Sequence, residues 1–223
     1  MGVAERRSRE KQLRIKAIID AAESVFFCKG FAGSSMDEIA GKAQLSRTLL
    51  YVYFKDKAAI MRGVMLRAAQ ALEQRFERAL HAGKTGLEQI EGIGKSYYAF
   101  SQEQSDYFDL LTDLNTFPLP PEESQESQAL SCCRTRITDI MVQALQNGIQ
   151  DGSLSPQRVR IPLRTAYFLQ GALHGVIMAT RQSQAGDQVY PDSEDLVLYT
   201  IAMLSESMRS FPGDPRQEIP AAT

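Results

Sequence analysis

An all-α fold of about nine helices is what this sequence predicts, and two observations carry that expectation. Apolar residues recur at three- and four-residue spacing almost throughout, whereas alternating apolar and polar runs are short. Hydroxyl and acidic residues stand where those periodic segments begin, and glycine or proline stands where they end. The 223 residues suit one large domain or two small ones, at roughly 100–200 residues per domain.

The elements follow in order. Ile15, Ile18, Ile19, Ala22, Val25 and Phe26 form one stripe of a first helix over 12–29, and Gly30 stops it. Ser35 and Glu38 make a capping box for a short second helix, whose apolar face is Met36, Ile39, Ala40 and Ala43. Ser46 caps a third helix carrying Leu49, Leu50, Val52, Tyr53 and Phe54, and Asp56 caps a fourth from about Lys57 to His81. Further helices are expected near 86–103, 105–115, 126–150, 157–184 and 192–210. Pro118, Pro120 and Pro121 make 116–124 a loop. A second break is expected at 185–193, and Pro212, Pro215 and Pro220 predict a frayed tail.

Composition narrows the function. Hydrophobic residues at 43% and charged residues at 23% match a folded soluble chain. No apolar run approaches the roughly 20 residues of a membrane span. Residues 1–11, MGVAERRSREK, are not followed by the apolar core of a signal peptide, so a cytoplasmic protein without membrane contact is expected. Three cysteines, an odd number, argue against a disulfide scaffold. With two histidines they form no ligand cluster, so neither metal nor cofactor is expected. Residues 1–62 hold 12 Lys+Arg against 7 Asp+Glu, leaving 13 and 20 for the rest. A basic head on an acidic body suits a head that meets a polyanion.

Two short helices separated by about three residues, over 35–52, have the spacing of a helix-turn-helix, whose second helix enters a DNA major groove. Two packed helices without that role would show the same spacing. The segment KGFAGSSMDEIAGKAQLSRTLLYVYFKDKAAIM (29–61) resembles the DNA-binding signature of the tetracycline-repressor (TetR) family of bacterial regulators. Gly30, Phe31, Ser34, Ser35, Ile39, Ala40, Ala43, Ser46, Leu50, Tyr51, Tyr53, Phe54 and Lys57 carry the resemblance, which covers roughly residues 10–62. It implies a head over 1–56 that binds DNA, and a helical body over 57–223 that binds an effector and dimerises.

The expected contacts follow from residue chemistry. Ser46 caps the recognition helix, whose end-on amides favour a phosphate. Arg47 has the planar fork that suits guanine O6 and N7, and Thr48 and Leu49 share its exposed position. Tyr51 and Tyr53 resemble the phosphate-contacting phenols of the family. Lys57 and Ser35 begin helices, where dipole and polar side chain both attract phosphate. Arg6, Arg7, Arg9 and Lys11 form either an arm on DNA or a solvated tail. Two positions depart from the family: Gln44 stands where a turn glycine is preferred, predicting a left-handed backbone or a widened turn. Thr48 also replaces a common glycine, so operator sequences do not carry over.

The expected body carries an apolar, aromatic cavity. Tyr97, Phe100, Phe108, Tyr167 and His174 are its candidate lining, and a small apolar or aromatic effector its occupant. Homodimer contact is expected through the helices near 157–184 and 192–210, where Gly171, Ala172, Gly175 and Ala179 permit close approach. Packing within the chain is the alternative use of those small residues. Cys132 and Cys133 have only Arg134 and Arg136 nearby to lower a thiol pKa, and Cys28 is expected beside Phe26 or Phe27. GKT at 83–85 and GKS at 94–96 lack the first glycine of a phosphate-binding loop, since Arg78 and Gln89 stand there. No catalytic constellation emerges. The expected protein is a homodimeric repressor that reads palindromic double-stranded DNA and is released by its effector. A constitutive DNA-binding protein is the first alternative, and a helical enzyme or carrier the second.

Overall fold

Caps and apolar spacing produce nine helices among the described residues of the computed structural model, which are 2–112, 124–183 and 193–211. In chain order they are α1 (Val3–Lys29), α2 (Met36–Lys42), α3 (Arg47–Tyr53), α4 (Lys57–Ala82) and α5 (Gly86–Glu103). Then come α6 (Ser105–Thr112), α7 (Gln125–Asp151), α8 (Pro162–Ser183) and α9 (Ser193–Met208). No strand forms among these residues, and Leu154 and Arg209 make one isolated bridge. The expected loop at 116–124 with its Phe117, the break at 185–193 and the proline-rich tail lie almost wholly outside the described residues.

Two boundaries and one side-chain placement differ from the sequence expectation. The first helix begins at Val3 rather than 12, because Glu5 reaches back to accept from the Gly2 amide at 2.9 Å. Arg6, Arg7, Arg9 and Lys11 are therefore helical and exposed. The eighth helix begins at Pro162 rather than 157: residues 156–161 turn, and proline fits a first helical turn, where an amide would be unpaired anyway. Cys28 is exposed instead of packing beside Phe26, since two steps along a helix turn the side chain about 200° from the buried face.

The chain divides into two compact units. The first comprises residues 1–70 and 106–133, the second 71–105 and 134–223, so α4 and α7 contribute to both. In the first, Ile18, Ala22 and Phe26 of α1 are buried with Ile39 and Ala40 of α2, Leu50 of α3 and Ile60 and Val64 of α4. Gly63 lets α1 and α4 cross closely: a Cβ there would lie 2.6 Å from Ile19 Cδ1. Phe108 of α6 is fully buried, and its neighbour Tyr107 donates to Glu23 at 2.7 Å. Arg67 of α4 closes that polar cluster, reaching Asp20 at 2.6 Å and Glu23 at 3.1 Å. Burial, then the Glu23 carboxylate, pushes the Tyr107 phenol up to about 12.

In the second unit α5 starts against the end of α7. Thr85 caps α5, the Gly86 amide donates to Asp151 at 2.7 Å, and Leu87 donates to Ser153 Oγ at 3.1 Å. A Cβ on Gly86 would fall 2.0 Å from the Gly148 nitrogen, so only glycine permits this approach. The chain after α7 is tied to the end of α9, with the Ser155 amide donating to the Met208 carbonyl at 2.9 Å.

Candidate functional site

The helix-turn-helix is built from local bonds. The Ser35 hydroxyl accepts from the Glu38 amide at 3.3 Å, and Glu38 returns to the Ser35 amide at 2.9 Å. The Lys29 ammonium and the Ser35 hydroxyl hold the Glu38 carboxyl below its usual range. Helix α2 then ends in a full Schellman motif. The Gln44 amide donates to Gly41 at 3.1 Å and the Leu45 amide to Ala40 at 2.9 Å. That geometry requires a left-handed residue, and Gln44 takes it at φ +56. Of the two expected outcomes at this position, the left-handed backbone is the one adopted.

Ser46 caps α3 by accepting from the Leu49 amide at 3.2 Å. Leu50 is fully buried and anchors the helix, so its opposite side faces outward. Ser46, Arg47, Thr48 and Tyr51 are exposed together there, while Leu49 and Tyr53 are half-buried. Arg47 bonds Asp37 at 3.0 Å and lies over the Tyr51 ring at 5.7 Å, which presents its guanidinium in a held orientation. The side chain that the sequence reading passed over is Val52, 73% exposed in mid-helix. The sequence places it on the third helix without a face assigned. Its phase relative to Leu50 gives the face, since two residues make a step of about 200°.

Two other expected contacts are engaged within the fold. The Lys57 ammonium donates to the Phe31 carbonyl at 2.6 Å and the Ser34 carbonyl at 2.7 Å, and sits over the Phe31 ring. It pins the α1–α2 connection to the start of α4. The Ser35 hydroxyl, as described, caps α2.

The second unit contains a cavity of about 50 Å³ lined by residues of α4, α5, α7, α8 and α9. Of the five residues expected there, Tyr97 lines it, and His174 meets the Tyr97 hydroxyl at 3.1 Å through Nδ1. The other three lie elsewhere. Phe100 is buried beneath Arg75 and outside the lining. Phe108 belongs to the first unit. Tyr167 is 60% exposed, because Ala166, Leu169 and Leu173 take the inward positions of α8. Phe76, Ile93 and Ile201 line the cavity without having been singled out, since periodicity marks a buried face and not a void beside it. Burial raises the Tyr97 phenol pKa. Burial and then the Arg181 charge lower that of His174, which stays a neutral imidazole near pH 7.

Among the described residues, no group of three or more His, Cys, Asp or Glu could hold a metal ion, and no helix is long and apolar enough to cross a membrane. None of the three cysteines forms a disulfide, with Cys132 exposed and Cys133 buried.

A family model described as bacterial regulatory proteins, tetR family, matches residues 18–64. The HTH-type transcriptional activator FasR of Mycolicibacterium smegmatis is 24% identical over 144 residues. That match spans 65% of this chain and 63% of the relative's length. Among solved structures, the TetR family transcriptional regulator PfmR of Thermus thermophilus is 19% identical with a TM-score of 0.63, over 85% of this chain and 97% of the other. FadR of Bacillus subtilis, a transcriptional regulator solved in complex with stearoyl-CoA, is 19% identical with a TM-score of 0.64, over 87% and 99%. These two likenesses concern the fold. Over residues 18–64 the chain matches the tetR family of bacterial regulatory proteins, and its all-helical fold is that of solved regulators such as PfmR.

Proposed function

We propose that the protein is a homodimeric transcriptional repressor that binds an imperfect palindrome and leaves it when a small apolar effector enters the body. The observation that carries this is the outward face of α3, where Arg47, Thr48, Tyr51 and Val52 stand exposed on a helix anchored by buried Leu50. Arg47 is the base reader, Val52 offers an apolar contact for a thymine methyl, and Ser46 and Tyr51 meet phosphates. Tyr53 adds a phosphate contact from the helix end. Residues 1–56 act as the reader and 57–223 as the sensor.

Dimerisation is supported by what α8 and α9 leave uncovered. Leu163, Tyr167 and Phe168 of α8 and Leu198, Tyr199 and Met203 of α9 are 40–62% exposed. Among the described residues nothing lies within 4 Å of a Cβ built on Gly171 or Gly175, so neither glycine serves a close approach there. A second copy covers this surface by forming a four-helix contact. Repression needs only occupancy of a promoter, whereas activation also needs a surface for polymerase, so repression is the simpler reading although FasR is an activator. The cavity favours an effector-controlled protein over a constitutive one. The stearoyl-CoA of FadR supports a lipophilic effector.

The test is selection of bound DNA from a random pool, followed by gel-shift titration. The expected result is retention of fragments with two related half-sites, and a loss of about 5- to 150-fold for Arg47→Ala. The reading fails if no fragment is retained at physiological salt, or if Arg47→Ala binds the selected fragment like the wild type.

A further inference from the structure

We infer that Asp37 is a specificity-determining residue of the DNA surface, which holds the Arg47 guanidinium for a base edge and keeps it from phosphate. This rests on the reading of α3 as the recognition helix. Asp37 stands in the first turn of α2, and Arg47 opens α3. Asp37 Oδ2 accepts from Arg47 Nη1 at 3.0 Å, across the turn between the two helices. Tyr51, one turn further along α3, lies against the same guanidinium, its ring centroid 5.7 Å from Cζ. The side chains of the ion pair are 59% and 62% exposed. A pair so open to water adds little to the fold. The turn between the helices is already closed by the backbone bonds of Gln44 and Leu45.

The pair acts when duplex DNA covers it. A lone guanidinium on this face would be drawn to the nearest phosphate, a contact that carries no sequence information. Paired with Asp37 it has no net charge, so phosphate gains little from it. Guanine O6 and N7 are neutral acceptors, recognised by direction more than by charge. The bond to Asp37 uses one of the five guanidinium N–H groups, and with the Tyr51 ring it sets the plane in which the others point. Water leaving the interface strengthens that bond, because the local dielectric falls. The Asp37 carboxylate also repels phosphate on every sequence alike. Asp37 therefore lowers affinity for DNA in general and preserves it where Arg47 meets guanine, which widens the difference between the two.

Gel-shift titration of the full chain, on a fragment selected from the random pool and on an unrelated duplex of equal length, separates the two parts. Asp37→Ala should bind the unrelated duplex about two- to fivefold tighter and the selected fragment no tighter, so the ratio of affinities falls at least about threefold. Selection repeated with Asp37→Ala should return a weaker preference at the base that Arg47→Ala ceases to read. In an Arg47→Ala background, Asp37→Ala should change both duplexes equally, since nothing is left to orient. Asp37→Glu, which keeps the charge, should keep the weak binding to unrelated DNA. If Asp37→Ala loses helix content, Asp37→Asn is read in the same way. An unchanged affinity ratio overturns the inference while leaving DNA binding in place. So does a base preference that Asp37→Ala alters in the absence of Arg47, which would make Asp37 a base reader in its own right. Retention of no fragment by the wild type defeats the recognition-helix reading itself, and the inference with it.

Discussion

The head and the body bury similar side chains and use them in opposite ways. In the head, Phe26, Ile39 and Leu50 are all but fully enclosed, and the side chains left outside α3 are those suited to a partner of fixed shape. In the body, aromatic residues are divided between a cavity and the outer surface. Tyr97 borders a void of about 50 Å³, while Tyr167, Phe168 and Tyr199 stand 59–62% exposed. A closed core holds a reading surface rigid. A core with free volume can shift between packings at small cost. Rigidity suits recognition, and adjustability suits sensing.

The largest expected effect tests that contrast with one residue type. Phe26→Ala should cost about 3–5 kcal/mol in urea unfolding of the head, because a fully packed ring is removed from a site with no slack. Phe168→Ala should change the fold stability of the isolated subunit by no more than about 0.5 kcal/mol, as an exposed position does. If the two variants cost the same, the difference between head and body is not one of packing.

How far the sequence disclosed all this follows the same division. Ser35 with Glu38, Ser46 with the Leu49 amide, and Asp56 with the Ala59 amide are bonds over three residues, and each was readable as a local pattern. So was the unusual turn at Gln44. The N-terminal extension of α1 was missed because ERRSREKQ has no apolar stripe, although these residues are good helix formers. The cavity was only half readable. Tyr97 and Phe100 are three apart on one face of α5, and nothing in their spacing says which borders the void. Helix α8 carries apolar residues on both faces, so its inward phase, set by Ala166, Leu169 and Leu173, is decided by packing against other helices. Voids and interfaces are long-range properties, and hydrophobic periodicity does not encode them.

Charge at the exposed body surface should sharpen the comparison next. Phe168→Glu is expected to weaken self-association at least about 100-fold by sedimentation, since an unpaired carboxylate would be buried in the contact. Helix content and the melting of the monomer should stay as they are. A smaller effect is expected inside the cavity. A Cβ on Gly94 would meet Ile201 at 3.4 Å and Leu173 at 3.6 Å, ordinary contact distances. Gly94→Ala should stabilise α5 by about 1 kcal/mol through helix propensity alone. It should also take up free volume and weaken the binding of any apolar ligand seated there. More stability with less ligand affinity, in one variant, is the signature expected where a void serves function.

The smallest effect belongs to the head and asks whether its rigidity carries strain. Gln44 holds a left-handed backbone at φ +56, a conformation that costs an ordinary residue about 1–2 kcal/mol and glycine little. Against that gain stands the greater freedom that glycine confers on the unfolded chain, about 0.5–1 kcal/mol. Gln44→Gly should therefore stabilise the head by a few tenths to about 1 kcal/mol in equilibrium urea unfolding. Operator affinity should hold within about twofold, because the Schellman bonds from Gln44 and Leu45 are backbone bonds and survive the change. A loss of operator affinity without a loss of stability would assign the Gln44 side chain itself to the DNA surface. The turn would then belong to the reading surface as well as to the scaffold that holds it.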